Sequence, residues 1–162
     1  MRIVLAGLLV TAMTLAAPAQ TGKEVSLVLK PYAVTLSVGD VDRMTRWYQN
    51  TLGFRPVSAK DYPEFKTRLV FLERDGFRIE LIEDARSKAG PERADPPGHT
   101  ALRGVSQFAF EVDNIETTKQ QLGERGAEFA WDLQRYPDLG VAFLFVRDPE
   151  GNLIQFVERL TR

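Results

Sequence analysis

The chain carries the same run of hydrophobic and polar positions twice. Val34, Leu36 and Val38 alternate with Thr35 and Ser37, the period of a strand with one buried face. From Val41 the period changes, and Val41, Met44, Tyr48 and Leu52 recur at spacings of three and four, which aligns them on one side of a helix. Asp40 suits the N-cap of that helix, Asp42 the positive end of its dipole, and Gly53 the position where it stops. Strands are predicted next at 54–59, 67–73 and 77–83, the last two joined through Arg74-Asp75-Gly76.

The second run repeats this order. Phe108, Phe110 and Val112 alternate, Asn114 takes the N-cap position, and Ile115, Thr118 and Leu122 follow Val41, Met44 and Tyr48 at a shift of 74 residues. Gly126 ends the helix, and strands are predicted near 127–133, 140–146 and 152–158, with Arg147-Asp148-Pro149-Glu150-Gly151 as the final turn. Gly76–Glu83 superposes on Gly151–Glu158 at a shift of 75. The unit is βαβββ, present twice, and the fold class is α+β. Module one spans 32–84 and module two 104–158, within a domain of 32–158. The Pro-, Gly- and charge-rich 85–103 is the linker between them.

One helix per unit covers one face of a four-stranded sheet. The other face then carries Ala33, Thr35, Ser37, Arg78, Glu80 and Ile82 in module one, and Gln107, Ala109, Glu111, Leu153, Gln155 and Val157 in module two. Its mixture of apolar and polar groups suits a concave small-molecule site. Arg78, Glu80, Gln107 and Gln155 are the expected polar contacts. Trp131, sharing its strand parity with Phe129, is expected as an apolar wall. Arg78 is also the expected ion-pair partner of Glu80, its same-face neighbour two residues away. Tyr48 belongs to the core stripe of its helix. His99, the single histidine, lies in Pro96-Pro97-Gly98-His99 of the linker and is expected as a solvent-facing turn residue; the functional alternative is a ligand contact or general base at the cup mouth.

Composition narrows the chemistry. A formal net charge of −1 provides no basic face for nucleic acid, and zero cysteines exclude disulfides, thiolate metal sites and a cysteine nucleophile. The first residues read as a leader: Met1-Arg2, an apolar stretch from Ile3 to Ala17, and the small-x-small pattern Ala17-Pro18-Ala19. Residues 1–19 are therefore expected to be a signal peptide cleaved after Ala19. Residues 20–31 then form an N-terminal arm on an exported, periplasmic or secreted protein that has no membrane contact after cleavage.

Val38-Gly39-Asp40, Trp47-Tyr48 with Leu52-Gly53-Phe54, Phe110-Glu111-Val112-Asp113, and Asp148-Pro149-Glu150-Gly151-Asn152 together resemble the vicinal oxygen chelate superfamily, which includes glyoxalase I, bleomycin-resistance proteins and extradiol dioxygenases. The resemblance covers residues 32–158. It implies two tandem βαβββ modules forming an open, cupped eight-stranded barrel, the glyoxalase/bleomycin-resistance fold, around a divalent metal or a ligand. Metal-dependent members place His, Glu or Gln at positions that correspond here to Ala33, Glu80, Gln107 and Gln155. Ala33 ligates nothing and no imidazole stands at the other three, so a dioxygenase triad of two His and one carboxylate is excluded. The expectation is a small-molecule-binding protein with a degenerate metal site and no firm cofactor. The alternative is a metal-dependent glyoxalase-like lyase or isomerase acting on a small carbonyl compound, with weakly held Mg, Mn, Ni or Zn and Glu80 as base or ligand. A second alternative is a dimerisation module without ligand, and a homodimer is compatible with all three.

Overall fold

The computed structural model describes residues 27 and 29–160. The leader and most of the arm lie outside the described residues. Pro31–Arg162 form one compact unit. In chain order it holds β1 (Val34–Val38), α1 (Val41–Leu52), β2 (Arg55–Tyr62), β3 (Thr67–Arg74) and β4 (Phe77–Asp84), then β5 (Gln107–Glu111), α2 (Ile115–Glu124), β6 (Glu128–Tyr136), β7 (Val141–Arg147) and β8 (Leu153–Arg159). These are the expected elements. The strands β2 and β6 run three residues beyond their predicted ends, each closing on a short 3-10 turn, Pro63–Phe65 and Pro137–Leu139. The repeated Tyr-Pro dipeptides Tyr62-Pro63 and Tyr136-Pro137 are the sequence signal for that matched pair.

The strands form two separate four-stranded sheets, ordered β1-β4-β3-β2 and β5-β8-β7-β6. In each, the first strand pairs in parallel with the last and the remaining pairs are antiparallel. Thr35 lies beside Glu80, and Ala109 beside Gln155, so the two copies keep one register. The modules sit side by side as two sheets that do not close on each other.

Local chemistry sets the helix ends. The Asp40 carboxylate accepts from Arg43 N at 2.8 Å, and the Asn114 side chain accepts from Thr117 N at 2.8 Å, removing an unpaired donor from each first turn. A second anchor is duplicated as well: Val41 N donates to Glu83 Oε2 and Ile115 N to Glu158 Oε2, both at 2.8 Å. A glutamate near the end of each last strand thus ties down the start of its own module's helix. Gly53 (φ 72°) stops α1 in the left-handed region, which glycine enters without a Cβ penalty. The last turn of α1 has no basic residue of its own. Its carbonyls are met by Arg74 on β3, which donates to Leu52 O, and by Arg125 after α2, which donates to Thr51 O at 3.0 Å.

One hydrophobic core runs through both modules. Val41, Met44, Leu72, Ile79 and Leu81 of module one and Ile115, Ala142, Leu144 and Ile154 of module two are fully buried within it. Phe54 and Phe77 meet Phe108 and Phe110 across the junction, with ring centroids 5.1–6.3 Å apart. All of these residues come from the helix side of the sheets. The opposite faces are left free to form a site.

Candidate functional site

On the free face of module one, the side chains of β1, β3 and β4 form a graded surface. Glu80 lies between Thr35 of β1 and Phe71 of β3. Its Oε2 accepts the Thr35 hydroxyl at 2.6 Å, a short charge-assisted hydrogen bond. Glu80 does not pair with Arg78. The Arg78 guanidinium turns sideways to Glu73, directly opposite it on β3, with Nε to Oε2 at 2.7 Å. Residues two apart on a strand share a face but sit about 6.6 Å apart, whereas residues opposite each other in an antiparallel pair are close enough to touch. That difference overturns the expected Arg78–Glu80 ion pair. The Tyr32 ring lies 5.5 Å from the Arg78 guanidinium and edge-on to Phe71, which completes a small aromatic and cationic corner beside Glu80.

The corresponding face of module two is aromatic. Trp131 stacks on Phe145 at 6.1 Å and meets Phe143 edge-on, and Tyr136 stacks on Phe143 at 5.2 Å. Trp131 is therefore on the expected face, but Phe129 is not with it. A bulge between them pairs Phe129 with core residue Val146 and Trp131 with Phe145, and Phe129 packs on the core instead. An extra residue in one strand reverses the facing of everything beyond it, and strict alternation could not show this.

The linker lies over one end of the same face. Arg147, at the edge of β7, donates to Asp95 Oδ1 at 2.7 Å, to Arg93 O at 2.8 Å and to Gly151 O at 2.9 Å. Arg93 in turn donates to His99 O and Leu102 O. His99, in the 3-10 turn Gly98–Ala101, is 8% exposed and edge-on to Phe145 at 5.4 Å. The expectation of a solvent-facing histidine is corrected: the linker is pinned by Arg147 and presses the imidazole onto the aromatic face. His99 Nδ1 and Gln107 Oε1 are both buried without a hydrogen-bond partner among the described residues. Gln155 is half-buried in the row of Phe145 and Ala109, and Ala33 stands just before β1.

These residues do not suit a divalent metal. Ala33 has no donor atom, the Gln107 oxygen is enclosed, and Glu80 supplies the only carboxylate of the four matched positions. The one imidazole belongs to the linker. Among the described residues no group of three His, Asp or Glu side chains is arranged to hold a metal ion. Soft or borderline metals are held by imidazole and thiolate, and Mg or Ca by several oxygen donors. One carboxylate and two dispersed amides meet neither requirement.

Comparison with known proteins agrees with the architecture. The model of the Glyoxalase/Bleomycin resistance protein/Dioxygenase superfamily matches residues 30–156. The chain is 31% identical over 128 residues to a lactoylglutathione lyase of Haemophilus influenzae, covering 76% of this chain and 87% of that one. It is 26% identical over 130 residues to an ethylmalonyl-CoA/methylmalonyl-CoA epimerase of Cereibacter sphaeroides, covering 75% and 92%. Among solved structures, a glyoxalase family protein from Enterococcus faecalis superposes with a TM-score of 0.66 at 22% identity, over 80% of this chain and 97% of that one. Two βαβββ modules in tandem, the matched family model and these relatives place the chain in the glyoxalase/bleomycin resistance protein/dioxygenase superfamily.

Proposed function

We propose that this chain binds a small organic molecule on the concave faces of its modules, without a tightly held metal, and that it does so after export. The observation that carries the reading is Glu80. Its carboxylate is half-buried, is held by the Thr35 hydroxyl, and has no cation paired with it among the described residues. An anion with no cation of its own, on a face it shares with Phe71, Tyr32 and Ile82, is a group kept for a partner that is absent from the chain itself. Arg78, Gln107, Gln155 and Trp131 are the accompanying contacts. The leader pattern from Met1 to Ala19 supports export.

The test is native mass spectrometry on protein recovered from the periplasm. The expected result is a chain beginning at Gln20 that carries a small molecule, with the adduct lost in Glu80→Gln. Chelator treatment is expected to leave the adduct in place. Stoichiometric divalent metal binding abolished by Glu80→Gln would overturn the reading.

A second reading rests on the 31% identity to a lactoylglutathione lyase. In it Glu80 is a general base that takes a proton from carbon beside a carbonyl. Turnover of lactoylglutathione, assayed with and without added divalent metal and lost in Glu80→Gln, would favour this reading over simple binding.

A further inference from the structure

The two modules are copies, and the places where they stop being copies expose a cavity. On one side of the junction, Tyr48 of α1 reaches the five-residue turn between β7 and β8 and donates to Asp148 Oδ2 at 2.9 Å, filling the space with a phenol ring and a carboxylate. On the equivalent side, the residue matching Tyr48 is Leu122 of α2, and the turn between β3 and β4 is only Asp75-Gly76. The ring and the hydroxyl are missing there, and the turn's carboxylate, Asp75, is exposed and turned to Arg74 instead of to the helix. The structure has a cavity of about 260 Å³ at that place, lined by Leu122, Asp75 of the turn and Phe54, Phe77, Phe110 and Phe156. It lies on the helix side of the sheets, away from Glu80 and the aromatic face of module two.

The rim of the cavity carries charge. Arg74 is paired with Asp75 at 3.2 Å, and Glu111 with Arg159 at 2.8 Å. Arg125, also lining the cavity, donates to Thr51 O but pairs with no carboxylate among the described residues. The unneutralised charge is therefore one guanidinium above an aromatic floor. Guanidinium groups recognise carboxylates through paired N–H donors, and phenylalanine rings accept another ring edge-on or offset.

We propose that this junction cavity is a binding site for a small aromatic monocarboxylate, with the ring on Phe77 and Phe110 and the carboxylate at Arg125. Such a molecule would supply what Tyr48 and Asp148 supply on the twin side. The site is separate from the concave faces and does not depend on what binds there.

Phenylacetate is the probe, with phenylacetamide as its uncharged match, and binding is read by calorimetry and by methyl shifts of Leu122. The expected result is saturable binding of phenylacetate, at least tenfold weaker binding of phenylacetamide, and loss of that discrimination in Arg125→Gln. Glu80→Gln is expected to bind phenylacetate as the parent does, which keeps this site distinct from the concave one. Leu122→Trp fills the cavity and is expected to abolish binding. Should that variant unfold, Leu122→Phe, which fills less of the space, is expected to weaken binding. Equal binding of the two probes would overturn the proposal. So would unchanged binding in a folded cavity-filled variant, or no shift at Leu122 up to the solubility limit of phenylacetate.

Discussion

Tyr48 and Asp148, 100 residues apart in the chain, are both buried and joined by a hydrogen bond of 2.9 Å from the phenol to Oδ2. This bond ties the helix of module one to the last turn of module two. Asp148 also accepts from Glu150 N, Asn152 N and Asn152 Nδ2, so one carboxylate organises its own turn and holds the neighbouring module. Glu150 of that turn accepts in addition from Gly39 N at 3.1 Å.

Replacing Tyr48 by Phe removes the donor and keeps the ring. Because Asp148 retains three other donors, the expected loss is at the lower end for a buried hydrogen bond, about 1–2 kcal/mol. Urea denaturation of the parent and variant measures it, and a loss below the error of the method would show that the bond does not hold the modules together.

Burial raises the Asp148 carboxyl above its ordinary 3.8, although its hydrogen bonds from Asn152, Tyr48 and Glu150 pull the other way. The folded state therefore holds this proton more tightly than the unfolded chain. The contribution to stability is fully present below 3.8 and is lost as pH rises through the folded value. Asp148→Asn removes the titration. The stability of the parent minus that of the variant is expected to fall as pH rises from below 3.8 and then to level off. A difference that grows with pH would reverse the assignment. The Tyr48 phenol is pushed well above its ordinary value by burial and by the adjacent Asp148, so it remains a donor throughout that range.

His99 is buried with Nδ1 unpartnered among the described residues, which costs stability that an apolar ring of similar shape would not. His99→Phe is expected to raise stability by about 1 kcal/mol, read from the thermal midpoint. A loss of similar size would show that the imidazole has a partner, such as a bound water.

Arg147 pins the linker through three hydrogen bonds, two to Asp95 and one to Arg93 O, and donates a fourth to Gly151 O in its own turn, while its side chain is only 13% exposed. Arg147→Gln is expected to speed amide hydrogen exchange and proteolysis in the segment 93–102 while leaving the sheets protected, because local opening follows local contacts. Uniform loss of protection would instead mean that the linker is integral to the core.

Gly53 and Gly126 end the two helices at φ 72° and 73°. A Cβ at Gly53 meets Arg74 Nη1 at 3.5 Å and at Gly126 meets nothing within 4 Å, so steric crowding is small at both. Each Gly→Ala change is expected to cost about 1–2 kcal/mol, from the left-handed backbone alone. Equal costs at the two sites in chemical denaturation would confirm that the duplication is energetic as well as geometric.

The sequence by itself determined the repeated unit, because strand and helix periods, caps and stop glycines act within a few residues of one another. Val34-Leu36-Val38, Asp40 and Gly53 specify their roles locally, and so do their counterparts from Phe108 to Gly126. The face of Glu80 was legible for the same reason, since alternation along an unbroken strand fixes it. What lay beyond reach depended on which elements meet. Arg78 turned to Glu73 because the antiparallel register set them opposite each other. Phe129 and Trp131 parted because one bulge reversed their facing. His99 was buried because Arg147 pinned the linker. The contact between Tyr48 and Asp148, and the cavity where Leu122 and a two-residue turn replace it, arise only when the two copies pack together. Periodicity records what one segment does with its own side chains. It carries no record of how far a side chain reaches into another segment, and that reach decided the chemistry of this protein.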